Sequence, residues 1–327
     1  MEYKLPGLQV ARACAALGIA YFHSWHVTMQ FPAGTAYPIP LLRDFGWIAV
    51  DFFFAISGFV ICLAVTSAKF RPGPFLIQRC FRLYPLWIAT ACIYLYLTRY
   101  LGRSPEQTFT YFIYSLTLLP TNGFPFYDLG WSLQHEIAFY VLAALIVPTL
   151  GIYGLIGWLC IGVAIDHMMA LPWYLHQYFS YYGNFLAGVA AFLVFRRGLS
   201  FGFILPVIIG VIVLYFAPSR LFYSFGLFFW LLGFVGMRRA PTLGTLLGDA
   251  SYSIYLIHPL VFLWVYIKLQ PPLPPIWMQE PLRYGSIAII CVLATASWKL
   301  FESPMIRVGK LVAGKFAMRQ PDSATGT

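Results

Sequence analysis

Charge is what this sequence has least of. Asp, Glu, Lys and Arg make up 10% of its 327 residues, against 60% apolar residues, and the mean hydropathy is +0.75. A soluble domain carries about 25% charged residues, so there is too little charge here to coat a water-soluble globule of this size. That excludes a soluble enzyme, a disordered chain and a nucleic-acid module. Acid is scarcer still, with 11 Asp and Glu against 21 Lys and Arg, a net charge of +10. In so apolar a chain the basic surplus reads as topology, because Lys and Arg collect in cytoplasmic loops. The long apolar runs do not alternate every second residue, which excludes a membrane β-barrel. CxxC is missing as well. Cys14, Cys62, Cys80, Cys92, Cys160 and Cys291 are scattered, mostly within apolar runs. They read as small packing residues, with neither a disulfide nor a metal site expected. Walker A, the Rossmann glycine fingerprint, HExxH and GxSxG are all absent, so nucleotide hydrolysis and those hydrolase or redox chemistries have no support. The first apolar stretch lacks a basic leader and a small-residue cleavage site, and reads as a retained span.

What is present is a series of long apolar runs. At about 20 residues per span, ten helices are expected: 7–29, 46–67, 82–99, 132–150, 152–171, 179–195, 200–217, 221–238, 250–268 and 284–303. Segment 108–120 is apolar but short, and reads as interfacial or re-entrant. With the N-terminus placed in the cytoplasm, the inside segments, which include Lys4, hold 13 of the Lys and Arg residues. The outside segments hold six, Arg103 and Arg220 among them. That bias supports ten spans with both termini cytoplasmic. No internal repeat is visible. The expected fold is all-α: a polytopic transmembrane helix bundle in one domain, 1–319, followed by a short polar tail, 320–327.

Polar groups inside such spans are expensive, about 2.5–3.5 kcal/mol or more for a charge at mid-bilayer, so each is a functional candidate. The first span holds Arg12, His23 and His26. Arg12 and His23 are eleven residues apart, about three turns plus 20°, so they share one face with an axial gap of roughly 16–17 Å. A guanidinium grips phosphate, and a neutral imidazole takes a proton from a hydroxyl. A phosphate-tailed donor with a long flexible arm would span that gap. Arg79 and Arg82 form an RxxR at the entrance of the third span, share a helical face and suit a polyphosphate. Asp51 and Glu136 enter their spans from outside, at a depth where either carboxylate is placed to orient His23. Ser57-Gly58 is small enough for close helix approach. Trp131 suits a membrane interface. The competing readings are plainer. Arg12 would snorkel, Arg79 and Arg82 would anchor the chain by charge, and Ser57 would pack. Asp51 and Glu136 would form salt bridges, His258 would bond a backbone carbonyl, and Glu302 would balance nearby arginines.

Six of these stretches, in order, resemble the integral-membrane acyltransferase 3 family, and most closely its short exopolysaccharide O-acetyltransferase branch. They are Leu5 to Leu17 with Arg12-X10-His23; Asp51 to Phe59; Arg79/Arg82 before Tyr84-Pro85; Trp131-Ser132-Leu133 through Glu136 and Phe139-Tyr140; Ser251 to Leu256 through His258-Pro259; and Phe301-Glu302-Ser303-Pro304. The resemblance implies a bacterial inner-membrane enzyme that moves an acyl group, usually acetyl, from cytoplasmic acyl-CoA to a saccharide hydroxyl, lipid-linked or at the cell surface. It makes acetyl-CoA a co-substrate and leaves no cofactor bound. It casts His23 as catalytic, with Asp51 or Glu136 orienting it. It assigns Arg12, Arg79 and Arg82 to the acyl-CoA, and leaves Ser57, Trp131, His258 and Glu302 as supporting candidates. His23 would either deprotonate the acceptor or carry the acyl group. Gln9 stands near where many members carry a second Arg, and the role of His135 is open. No SGNH hydrolase segment follows the last span, so an acceptor step in such a domain is not expected. Two rivals from other classes are a proton-coupled transporter of a glycan or peptide and a non-catalytic scaffold of a glycan assembly complex.

Overall fold

The computed structural model describes residues 5–24, 39–100, 109–121, 123–269 and 275–319. Lys4, His26, Arg103, the end of the expected first span at 25–29 and the polar tail 320–327 lie outside the described residues. Among the described residues the chain is helical throughout, with no strand. In order the helices are α1 (Pro6–His23), α2 (Pro40–Phe45), α3 (Ile48–Val65), α4 (Pro72–Tyr100), α5 (Phe109–Leu116), α6 (Gly130–Met168), α7 (Trp173–Ser180), α8 (Tyr182–Arg196), α9 (Ile204–Phe216), α10 (Arg220–Gly236), α11 (Thr242–Asp249), α12 (Ser251–Leu269) and α13 (Ile276–Ser297). A π-helical turn, Trp298–Glu302, then leads into α14 (Ser303–Arg319).

Every one of the ten expected segments falls on a helix. Five stretches are long and apolar enough to cross a membrane: 48–65, 72–100, 130–168, 175–196 and 277–318. A sixth arises if α11 and α12, bent 72° apart, count as one. The chain is thus a multi-pass membrane protein. Helix α1 is 18 residues long, but Gln9, Arg12 and His23 keep it out of that set. Helices α9 and α10 are apolar but shorter.

The boundaries differ from the expected ones in instructive places. Helix α6 is two helices meeting at a kink, and the break falls between the expected spans 132–150 and 152–171, at Gly151, whose φ of 67° and ψ of −174° suit glycine alone, just after Pro148. Helix α4 begins at Pro72, ten residues before the expected start. Proline costs nothing in a first turn, and Arg79 and Arg82 therefore lie inside a helix rather than at its entrance. Helix α5 has eight residues, about 12 Å, too short to cross a bilayer. The last apolar stretch runs on through the π turn into α14.

Helix α3 sits at the centre, with 67% of its apolar window buried. It meets α8 through glycines. A Cβ on Gly58 would lie 2.3 Å from the Phe185 carbonyl oxygen, and one on Gly188 would lie 1.9 Å from the Ala55 carbonyl oxygen. With no hydrophobic force between helices in lipid, such backbone contact is what holds them. Helix α1 packs on α3, α10, α11 and α12, which sets its polar face toward the centre. The cysteines depart from expectation. All six are unpaired, but Cys14, Cys80, Cys92 and Cys160 are exposed on the outside of the bundle and only Cys62 is fully buried. An exposed thiol is apolar enough for lipid contact, so an apolar run alone did not imply core packing.

Candidate functional site

Five helices enclose a cavity of about 380 Å³. Arg12 reaches it from α1, Ser57 from α3, Arg79 and Arg82 from α4, and Glu136 from α6. Helix α12 closes it with Ser251, Tyr252 and Tyr255. The two expected guanidinium groups of the RxxR and the one eleven residues below His23 therefore share one chamber. Ser57 Oγ donates to Glu136 Oε1 at 3.1 Å. The Tyr140 hydroxyl donates to the same oxygen. Arg79 lies over the faces of Phe75 and Tyr140, 5.2 and 5.3 Å from the ring centroids, a favourable place for a cation shielded from water. Glu136 thus spends its hydrogen bonds on two hydroxyls, and its charge opposes the arginines across the cavity.

Glu302 serves the same chamber from behind. The π turn inserts one more residue than an α-turn allows and leaves Glu302 only 2% exposed. Ser253 Oγ donates to its Oε2 at 2.8 Å, and Arg82 and Arg12 are its charged neighbours. Its Oε1 is buried without a partner among the described residues.

His23 closes α1 at the far end from Arg12. Its Nδ1 lies 2.9 Å from Nε2 of His258, with the rings stacked at 5.2 Å and an interplanar angle of 17°. His258 is fully buried, and its Nδ1 lies 3.3 Å from the Ile254 carbonyl oxygen. The pair sits directly behind the cavity wall. Tyr255 and Phe53 line the cavity and pack on each other at 6.2 Å, while Tyr255 lies 6.0 Å from His258. The Tyr255 hydroxyl is tied to Ser132 Oγ at 2.7 Å.

Residues 5–298 match the acyltransferase domain family, Acyl_transf_3. The chain belongs to that family. It is also similar to the exopolysaccharide production protein ExoZ of Rhizobium meliloti (strain 1021), 26% identical over 307 residues that cover 81% of this chain and 91% of that protein. No solved structure matches.

Within this acyltransferase Asp51 or Glu136 was expected to orient His23; the contact shown at His23 Nδ1 is Nε2 of His258, and both acids bond to other side chains. Glu136 is engaged by Ser57 and Tyr140, as above. Asp51 is 1% exposed and faces away, toward α8 and α10. Asn184 Nδ2 donates to its Oδ1 at 2.9 Å, Ser224 Oγ donates to Asn184 Oδ1 at 2.8 Å, and Arg220 Nη2 stands 3.7 Å off. The reason is helical phase: Asp51 and Ser57 are six residues apart, so they point about 120° apart around α3. Arg220, read as an outside loop charge, is the ion partner and also stacks on Tyr181 at 4.3 Å.

Trp131 packs against Phe54 and Tyr181 rather than lining the cavity. His135, one residue before Glu136, has Nδ1 2.6 Å from the Trp131 carbonyl oxygen and Nε2 3.0 Å from the Gln177 carbonyl oxygen, and its one ring N–H donates to one of them. Tyr140, Tyr255 and Ser132 were not singled out from the sequence. Tyr140 carried a usable signal, since it stands four residues after Glu136 and so one turn along the same face. No group of three His, Cys, Asp or Glu side chains able to hold a metal occurs among the described residues.

Proposed function

We propose that the chain is a bacterial inner-membrane O-acyltransferase that moves an acetyl group from cytoplasmic acetyl-CoA to a hydroxyl of an exopolysaccharide or its lipid-linked precursor. The observation that carries the reading is the convergence of Arg12, Arg79 and Arg82 on one intramembrane cavity, with an imidazole pair behind its wall. Three guanidiniums inside a bundle need anions, and a nucleotide polyphosphate supplies them without a protein acid. ExoZ is an exopolysaccharide production protein, which favours a saccharide acceptor.

In this reading residues 1–319 form one domain of ten spans with both termini in the cytoplasm, as the Lys and Arg bias favours, and 108–120 stays on one side. The phosphates of acetyl-CoA rest on Arg12, Arg79 and Arg82. Glu136, steadied by Ser57 and Tyr140, accepts the amide N–H of the pantetheine arm and sets the reach of the thioester. The acyl end reaches His23, which does not line the cavity, when Phe53 and Tyr255, packed on each other in its wall, move apart. His23 Nε2 takes the proton of the acceptor hydroxyl, whose oxygen attacks the thioester carbonyl. The C–O bond forms, the C–S bond breaks, and the proton passes from His23 to the departing sulfur.

The test is purified protein in detergent with radiolabelled acetyl-CoA and candidate lipid-linked saccharides, following label in the saccharide and free CoA together. Stoichiometric transfer that His23→Ala abolishes supports the reading. A His23→Ala protein that still acetylates at the wild-type rate overturns the assignment, and saccharide movement without CoA release favours a transporter.

A further inference from the structure

We infer that His258 is a positioning residue that fixes the tautomer of His23, holding the proton on His23 Nδ1 and leaving the lone pair on Nε2. The inference rests on the proposed role of His23. It starts from a carbonyl. The Ile254 oxygen has no hydrogen to give, so across the 3.3 Å contact His258 Nδ1 is the donor. A neutral imidazole with its proton on Nδ1 carries a lone pair on Nε2. His258 Nε2 is therefore an acceptor, and the 2.9 Å contact is completed by a proton on His23 Nδ1. His23 then has its lone pair on Nε2, the nitrogen that a base needs.

Burial makes this assignment firm. His258 is wholly enclosed, with the rings of Tyr255 and Phe262 6.0 Å from its own, so a second proton on it would be a charge taken out of water. The pair is also rigid. The stacked rings limit rotation, and His258 sits one residue before Pro259, inside α12. An uncharged imidazole here performs the orienting task for which a carboxylate was expected, and it suits a site walled by apolar side chains. During transfer His258 changes neither its own proton nor its charge. The proton that arrives on His23 Nε2 is the one that leaves with the CoA sulfur, while Nδ1–H stays bonded to His258 throughout.

The experiment is nitrogen NMR of the full chain, labelled in its histidine ring nitrogens and held in lipid bilayers at neutral pH. The His23 signals are assigned by their disappearance in His23→Gln. The expected result is a protonated, pyrrole-type Nδ1 and a pyridine-type Nε2 on His23. His258→Gln, whose side-chain oxygen replaces the acceptor, keeps that pattern, and His258→Leu, of similar bulk and no acceptor, moves the proton to Nε2. In the acetyl-transfer assay Leu lowers the rate by about 100-fold or more while Gln stays within about tenfold of wild type. A merely structural role predicts no change of tautomer with either variant. A wild-type His23 protonated on Nε2, or a His258→Leu protein with the tautomer unchanged, overturns the inference. Should the Leu variant fail to fold, the wild-type and Gln spectra decide alone. The predicted tautomer in a protein without any transfer activity sinks the proposed function and upholds the positioning role, while transfer with the opposite tautomer does the reverse.

Discussion

Asp51 and Glu136 are both acids set into apolar helices, and both bond to neutral side chains, yet they live in different surroundings. Asp51 is closed off between α3, α8 and α10, where an amide and a hydroxyl extend its network and one arginine approaches from the partly exposed side. Glu136 opens into a chamber that holds three arginines. The first is an internal network built on Asp51 Oδ1, while Oδ2 is buried without a hydrogen-bond partner among the described residues. The second sets three arginines against Glu136 and, from behind, Glu302, and in the proposed reading the phosphates of acetyl-CoA complete it. In a membrane protein a buried charge is costly wherever it lies, so the presence of an acid in a span does not say which kind it is. The ratio of cations to acids around a common void does.

Variants that pull the two regions apart should differ in what they damage. The largest effect is expected from Arg79→Ala combined with Arg82→Ala. Each lost charge-assisted bond is worth about 1.5–3 kcal/mol, so acetyl-CoA affinity should fall by about 100-fold or more in a titration of detergent-solubilised protein. Thermal stability should hold in Arg79→Ala alone, because Arg79 rests on rings, and should fall when Arg82 goes too, because Arg82 is a charged neighbour of the buried Glu302. An unchanged affinity would remove the donor site from this cavity. Next comes Glu136→Gln, which keeps an acceptor for Ser57 and Tyr140 but discards the charge. The rate of transfer should drop by about 100-fold through loss of alignment, while acetyl-CoA binds at least as tightly as before. Weaker binding would show that Glu136 does not oppose the arginines.

Asp51→Ala reverses the pattern. It orphans the buried Asn184 amide at a cost of about 1–3 kcal/mol, visible as a lower unfolding temperature, and it leaves acetyl-CoA affinity alone. Arg220, 40% exposed, turns to water and adds little. Loss of donor binding in this variant would erase the distinction between the regions. Ser57→Ala should be the mildest, about 0.5–1.5 kcal/mol for one hydrogen bond, read as a small rise in the KM for acetyl-CoA at a nearly constant rate.

Much of the arrangement was legible in the sequence, and the part that was not has a common cause. Periodicity along one helix placed Arg12 and His23 on one face and joined Arg79 to Arg82, and all three arginines do share a cavity. Close approach at Ser57-Gly58 was readable from side-chain size, and Gly58 against Gly188 is how α3 and α8 meet. Pairings between helices were not readable. His23 and His258 are 235 positions apart, and nothing local to either names the other. Asp51 was assigned to His23 by depth alone, but depth is one coordinate and helical phase is another. Phase sends Asp51 toward Asn184, which drew no notice as an uncharged residue in an apolar run. Helix starts were misjudged where prolines opened them, since Pro72 and Pro74 look like loop residues until they fall in a first turn.

The sharp break between α11 and α12 has an electrostatic result of its own. Ser251 and Tyr252, the first residues after the break, line the cavity, so the leading end of α12 faces the same space as the guanidiniums. Its unpaired peptide N–H groups carry about half a positive charge in sum, set by the course of the main chain and not by any side chain. Replacing all three arginines would therefore weaken the pull on an anion without ending it, and the residual attraction would persist for as long as the helix stays broken there.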